Sequence, residues 1–318
     1  MKTSSDSALA SLLLTSHLVK GAASPLSAGE YWKLIETVDD PASLLGLGGD
    51  DVAAATGAAP AEADRIAALL ESATVLAVEL DRLQQTGIRV LSPFDDSFPS
   101  RLVERLGHSA PPLLYVAGPA ALLESDGIGI VGSRNVGAEA RDVAVEAARV
   151  AAQHGLPVVS GLARGIDQTA MGAALEAGGA VVGIPADSLD KLVRDPSIRR
   201  AILAENLCVA TPYRPSSGFS VGAAMGRNKI IYALSRTTLV VTADEGTGGT
   251  WNGAVEAMQK RIAPVAVWTG PGAGQGNAAL VRRGGIAVDS VDALLDVTRE
   301  DLAEPASRVR ETQMHLEI

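Results

Sequence analysis

Residues 128–167 leave few folds open to this chain. The apolar run 128–131 ends in Gly132-Ser133-Arg134 and a helix-period segment follows at 136–153. A second apolar run, 156–159, ends in Ser160-Gly161-Leu162-Ala163-Arg164-Gly165. Strand, small-residue turn, helix, strand, small-residue turn is the repeating unit of a parallel sheet. In such a sheet both turns fall at the carboxyl edge, where open α/β folds bind ligands. An arginine in each turn gives that edge a preference for anions, with phosphate the first candidate.

The same alternation continues downstream. Apolar runs recur at 180–184, 207–210, 238–242, 264–268 and 286–288, separated by helix-patterned segments at 166–177, 196–205, 221–235, 250–259 and 277–283. Near-continuous apolar strands alternating with helices predict one α/β domain, a doubly wound parallel sheet of about seven strands covered on both faces. Upstream, residues 30–38 have helical spacing, and 61–83 reads as one long Ala/Leu-rich helix stopped by Gly87. Short extended pieces follow at 88–91 and 113–116. The expected domains are a smaller helical N-terminal domain at 1–86, the sheet domain with an extended lead-in at 87–290, and a short helix with a polar tail at 291–318. The acidic pairs Asp39-Asp40, Asp50-Asp51 and Asp95-Asp96 read as helix caps and turns.

Composition removes several functional classes. One cysteine, Cys208, sits in an apolar run and excludes both a disulfide framework and a cysteine-based zinc site, which fits a cytoplasmic protein. The apolar stretch 8–19 is too short to span a bilayer and reads as a first amphipathic helix. His17, His108, His154 and His315 are scattered, so neither a metal cluster nor a Ser–His–Asp triad is expected, and no catalytic residue is assigned. The net charge of −10 argues at first against nucleic acid. Its distribution weakens that argument: residues 1–118 carry 8 basic and 15 acidic side chains, whereas 128–290 carry 16 basic and 13 acidic. Phosphate binding follows the local field rather than the overall charge.

Four loops carry candidate chemistry. In the first, Gly132 admits a ligand close to the backbone, Ser133 offers a hydroxyl and an N–H, and Arg134 a forked donor; a plain structural turn is the other reading. It is not a dinucleotide fingerprint, because G-x-G-x-x-G is absent and no acidic residue ends the second strand, so no cofactor is expected. In the second, Ser160, Gly161, Arg164 and Gly165 precede a helix whose amino end can face the cleft. Asp167 there is either catalytic or, more simply, a helix-start residue favoured by the dipole. The third, 219–235, brings Arg227, Asn228 and Lys229 near Phe219, whose ring either stacks a base or anchors the helix start. The fourth, Asp244 to Thr250, holds Gly248, Gly249 and Thr250 in a further phosphate-cradling loop without a Walker lysine.

Taken together, GIVGSR, VVSGLARGID, GRNKIIYALS and the Gly/Thr-rich loop resemble the DNA-processing protein A (DprA/Smf) family. The lead-in GIRVLSPFDDSFPSRL and PPLLYVAG resembles it too, so the likeness runs from about Gly87 to Asp289. The resemblance implies a Rossmann-like domain and a homodimer that protects single-stranded DNA. It also implies help in loading a RecA-type recombinase, in recombination or natural transformation. Arg134 matches the arginine of the family's GSR turn, and Ser160, Gly161 and Gly165 match its SG-x-A-x-GID loop. Phe219, Arg227 and Asn228 match its F-P-x-RNR segment, with Lys229 in place of the last arginine. Gln168-Thr169-Ala170-Met171 replaces the usual Ala-His after GID, the proline after Phe219 is missing, and several residues intervene before Arg227, so the chain reads as a divergent member. Those departures also make it similar to the LOG-type nucleoside-monophosphate phosphoribohydrolases. There, however, an acidic pair follows the loop threonine, and here Asn252 and Gly253 occupy those positions, with Glu245 and Glu256 the nearby substitutes.

Overall fold

The computed structural model describes residues 6–19 and 23–302; the tail from 303 and His315 lie outside the described residues. In chain order the helices and strands begin α1 (Asp6–Thr15), α2 (Ala28–Val38), α3 (Gly49–Thr56), α4 (Pro60–Leu70), α5 (Ala73–Gln85), β1 (Ile88–Leu91), α6 (Ser100–Leu106) and β2 (Leu114–Ala117). They continue β3 (Gly127–Gly132), α7 (Ala138–Gln153), β4 (Val158–Ser160), α8 (Ile166–Glu176), β5 (Val181–Gly183), α9 (Leu189–Leu192), α10 (Pro196–Leu203) and β6 (Leu207–Thr211). The last are α11 (Val221–Leu234), β7 (Ser235–Thr242), α12 (Gly248–Gln259), β8 (Val265–Trp268), α13 (Asn277–Arg282), β9 (Ile286–Val288) and α14 (Ala293–Asp296). Two compact units result. One runs to Glu124 and adds Pro185–Ala223; the other comprises Ser125–Ile184 and the residues from Ala224.

The first unit is mostly helical and takes in more than the expected amino-terminal region. Ser27 opens α2 with a capping box: its hydroxyl accepts the Glu30 N–H while the Glu30 carboxylate accepts the Ser27 N–H at 2.7 Å. Arg65 on α4 then pairs with Glu30 at 2.8 Å. That contact and the Ser27 donors pull the Glu30 carboxyl down to about 2. Tyr31 is fully buried and shares a 2.8 Å hydrogen bond with Ser11 on α1. The single helix expected over 61–83 is broken at Glu71-Ser72. Helix α4 buries Ala63, Ile66, Ala67, Leu69 and Leu70, and α5 buries Leu76 and Leu83. Leu69 of α4, Leu76 and Leu83 recur every seven residues and keep nearly one face buried across the break. In this unit β1 pairs antiparallel with β2, and β2 with β6.

The second unit holds the parallel sheet. Its order is β5-β4-β3-β7-β8-β9, with Gly129 opposite Val159 on one side and Thr238 on the other. Six of the seven expected strands from residue 128 onward are here; the 207–210 run became β6, paired antiparallel in the first unit. From β3 the chain moves outward through β4 and β5, then returns to β7 and moves the other way. Right-handed crossovers, nearly universal in parallel sheets, put α7 and α8 on one face and α12 and α13 on the other. Consistent with this, α7 packs on α8, and α12 on α13. This is the doubly wound α/β fold, and its strand order reverses between β3 and β7, where such sheets open a crevice at their carboxyl ends.

Candidate functional site

The reversal point brings together the turn after β3 and the loop after β7. Ser133 staples one to the other, its N–H and its hydroxyl both donating to the Thr242 carbonyl at 3.1 and 3.3 Å. Gly132 packs so closely on Ile166 that a side chain would collide with it. Beyond these residues Arg134 is exposed, and α7 begins at Gly137, whose cap position provides no side-chain hydrogen bond.

The turn after β4 is tighter. The Ser160 hydroxyl is buried and donates to the Ile130 carbonyl at 2.6 Å, joining β4 to β3. The expectation that Ser160 meets a ligand is therefore corrected: its hydroxyl is spent inside the sheet. Leu162 adopts φ 57° and Gly165 φ 87°. A side chain on Gly165 would lie 2.5 Å from the Ser133 carbonyl oxygen and 2.6 Å from that of Arg134. Gly165 thus lets this turn press against the first. Arg164 is exposed, and α8 starts without a side-chain cap.

Arg227 is the second correction. It is 6% exposed on α11, with Nη2 3.7 Å from the Asp167 carboxylate. Its guanidinium fills the space that a Gly161 side chain would occupy. A buried, ion-paired arginine shapes the turn from behind and does not face a strand. Asp167, which had read as a helix-start residue, is itself buried. Burial pushes its carboxyl up, opposed by Arg227 and by main-chain N–H donors from Ala163, Gly161 and Gly132.

The other two α11 candidates face α12. The Asn228 amide donates to the Gly249 carbonyl at 2.9 Å. Lys229 is half-buried, its ammonium pushed down by desolvation while the Glu256 charge opposes the shift. Gly246 (φ 73°) and Gly248 (φ 83°) turn the loop into α12, whose cap residue Thr247 makes no side-chain cap. Gly248 and Gly249 are exposed and Thr250 is half-buried. Phe219 belongs to the first unit and is 51% exposed, so it is not a core anchor.

Three helices of more than two turns, α7, α8 and α12, therefore begin without side-chain caps beside the carboxyl ends of neighbouring strands β3, β4 and β7. The first N–H groups of α7 and α12 need acceptors, whereas on α8 Ile166 and Gln168 donate to the Ser133 and Ala163 carbonyls at 3.5 and 3.1 Å; all three dipoles favour negative charge. Arg134 and Arg164 add positive charge at the same edge, opposed by exposed Asp244 and Glu245. The arrangement suits successive phosphates or one phosphorylated ligand. Of the carboxylates near the fourth loop, Glu256 pairs with Lys260 at 2.6 Å. Among the described residues no group of His, Cys, Asp and Glu is placed to hold a metal, and no helix is long and apolar enough to cross a membrane.

One contributor had not been expected. The loop 270–276 after β8 closes on the same edge: Gly276 donates to the Ala243 carbonyl at 2.9 Å, and Gly272 lies against the amide of Ala140 at the start of α7. Asn277 fastens it through hydrogen bonds with the Ala243 N–H and the Val241 and Trp268 carbonyls. The glycine density of GPGAGQG was the available signal.

Comparison with known proteins points the same way. The family model of DNA recombination-mediator protein A matches residues 89–299. A putative DNA processing protein DprA of Mycobacterium tuberculosis is 29% identical over 234 residues, covering 69% of this chain and 59% of the relative. Protein Smf of Synechocystis is 33% identical over 176 residues, covering 53% and 43%. The chain thus spans roughly half the length of these relatives. The X-ray structure of DprA from Streptococcus pneumoniae shares the fold, with a TM-score of 0.64 at 24% identity over 86% of this chain and 98% of that one. A second structure, of DNA processing protein A from Helicobacter pylori, concerns that protein's single-stranded DNA binding mode; its TM-score is 0.55 at 21% identity, over 66% and 94%.

Proposed function

The chain belongs to the DNA recombination-mediator protein A family, and from that premise we propose that it binds single-stranded DNA through the carboxyl edge of its parallel sheet. The observation that carries this reading is the row of three helix amino termini without side-chain caps beside β4, β3 and β7, with Arg134 and Arg164 exposed among them. Successive phosphates of a strand offer several acceptors in a row, matching several donor groups in a row. Gly248 and Gly249 keep the backbone accessible, Gly132, Gly161 and Gly165 let the turns pack closely, and Ser133 holds the first turn in place. Arg227, Asn228 and Lys229 support the turns from behind. The function is binding rather than catalysis. Transfer of the strand to a RecA-type recombinase, action as a homodimer and a cytoplasmic setting follow from family membership and complete the proposal.

Fluorescence anisotropy with labelled oligo(dT) tests it. Binding should be tight at low salt and resist competition by duplex and by free nucleotides. No binding above background at low salt would refute the reading. Displacement by an equimolar mononucleotide would instead favour a nucleotide sensor or phosphoribohydrolase.

A further inference from the structure

Asp167 stands on the first turn of α8, 5% exposed, where strand binding does not require it to touch DNA. Its Oδ2 accepts the Gly161 N–H at 3.1 Å and lies 3.7 Å from Arg227 Nη2. The N–H groups of Ala163 and Gly132 also donate to the carboxylate. One buried anion thereby ties the turn after β3, the turn after β4 and helix α11 together. Only glycine at 161 leaves room for the guanidinium that completes the arrangement.

This arrangement is costly. Well-packed hydrophobic residues of similar volume in place of a buried ion pair are often as stable as the pair or more so. Burial outweighs Arg227 and the main-chain donors, leaving the Asp167 carboxyl above its ordinary range. Leu162, between two of the donating residues, holds a left-handed backbone that disfavours a branched side chain. A buried charge beside a strained turn is found where geometry serves function. We propose that Asp167 is the positioning residue of the anion grip: by accepting N–H groups from both turns and neutralising Arg227, it fixes where the outward-facing amides, Arg134 and Arg164 meet phosphate. What is gripped rests on the single-strand reading above.

Asp167→Asn alone would leave the Arg227 charge buried without its carboxylate and is expected to lower the Tm. The decisive variant is therefore Asp167→Asn combined with Arg227→Gln in the full chain. It removes both charges, and a side-chain amide cannot accept three main-chain donors as a carboxylate does. The double variant should melt above Asp167→Asn alone, since no uncompensated charge is left buried, yet bind labelled oligo(dT) at least about tenfold more weakly than the wild type. The amide resonances of Gly132, Gly161 and Ala163 should shift. Recovery of affinity together with the Tm would overturn the proposal and leave Asp167 a structural counter-ion. If the wild type itself ignored oligo(dT), the single-strand reading would fall while the amide spectrum still judged Asp167. Unmoved resonances at those three residues would overturn it, and shifted ones would support it.

Discussion

Gly165 shows how little freedom the grip has at single positions. Its φ of 87° and its approach to the Ser133 and Arg134 carbonyls leave no place for a methyl group. Gly246 has a similar φ of 73° but open space around it. Gly246→Ala should therefore cost about 1 kcal/mol, the left-handed penalty alone. Gly165→Ala should cost about 2–4 kcal/mol because backbone must also move. Urea unfolding of both variants would show equal losses if the close approach were unimportant. Glu30 gives a pH test far from the site. Its carboxyl is pulled down to about 2, so its stabilisation is present above the ordinary carboxylate pKa and lost as pH falls towards 2. Its side chain is 40% exposed, so after allowance for solvent screening Glu30→Gln should cost about 1 kcal/mol at neutral pH, fading towards pH 2. Chemical denaturation across that range measures it. Residue type and spacing made Arg134 and Arg164 legible as cations at a strand end. Depth was not legible: nothing local in GRNK distinguishes an arginine facing a ligand from one packed behind Gly161, and the Asp167 partner that decides it lies 60 positions away.

Helices show the same division between what local pattern determines and what packing determines. The alternation of apolar runs and helical periods was sufficient to place β3 to β6, β8 and β9 within a residue or two, because most of these strands are covered on both faces and read as continuous apolar segments, whereas β7 begins at Ser235, three residues before its apolar run. The break between α4 and α5 was not legible, since the run is helix-forming throughout. The pairing of β6 with β2 depends on contacts remote in sequence. Missing side-chain caps were visible only as glycines at 137 and 165, yet they define the site. Gly137, with φ −72° and nothing within reach of an added side chain, accepts any residue. Gly137→Asp would cap α7 and place a carboxylate at its positive end, raising stability by about 0.5 kcal/mol. The same carboxylate would compete for the N–H groups assigned to phosphate, so oligo(dT) affinity should fall as Tm rises. A variant that gained both stability and affinity would remove α7 from the grip.

Across the whole chain, an overall charge of −10 coexists with a central region of 16 basic and 13 acidic residues. At physiological salt the screening length is about 8 Å, so a bound strand would sense the arginines beside it far more than charges beyond that distance. Overall pI is therefore a poor guide to its partners. Contact number, in contrast, can be read from salt dependence: each phosphate neutralised on a single strand contributes about 0.7 to the slope of log affinity against log salt. Arg134→Ala with Arg164→Ala should reduce the wild-type slope by about 1.4 if each arginine holds one phosphate. It should also weaken binding to oligo(dT) and mixed-sequence strands alike, since phosphates carry no base identity. The Asp167→Asn/Arg227→Gln variant should behave differently, losing affinity through poorer amide geometry with a slope near wild type, because Arg134 and Arg164 remain. Anisotropy titrations of all three proteins over a series of KCl concentrations separate these roles. Parallel loss of slope in both variants would mean that Arg227 reaches phosphate despite its burial, and an unchanged slope without Arg134 and Arg164 would place the strand elsewhere on the protein.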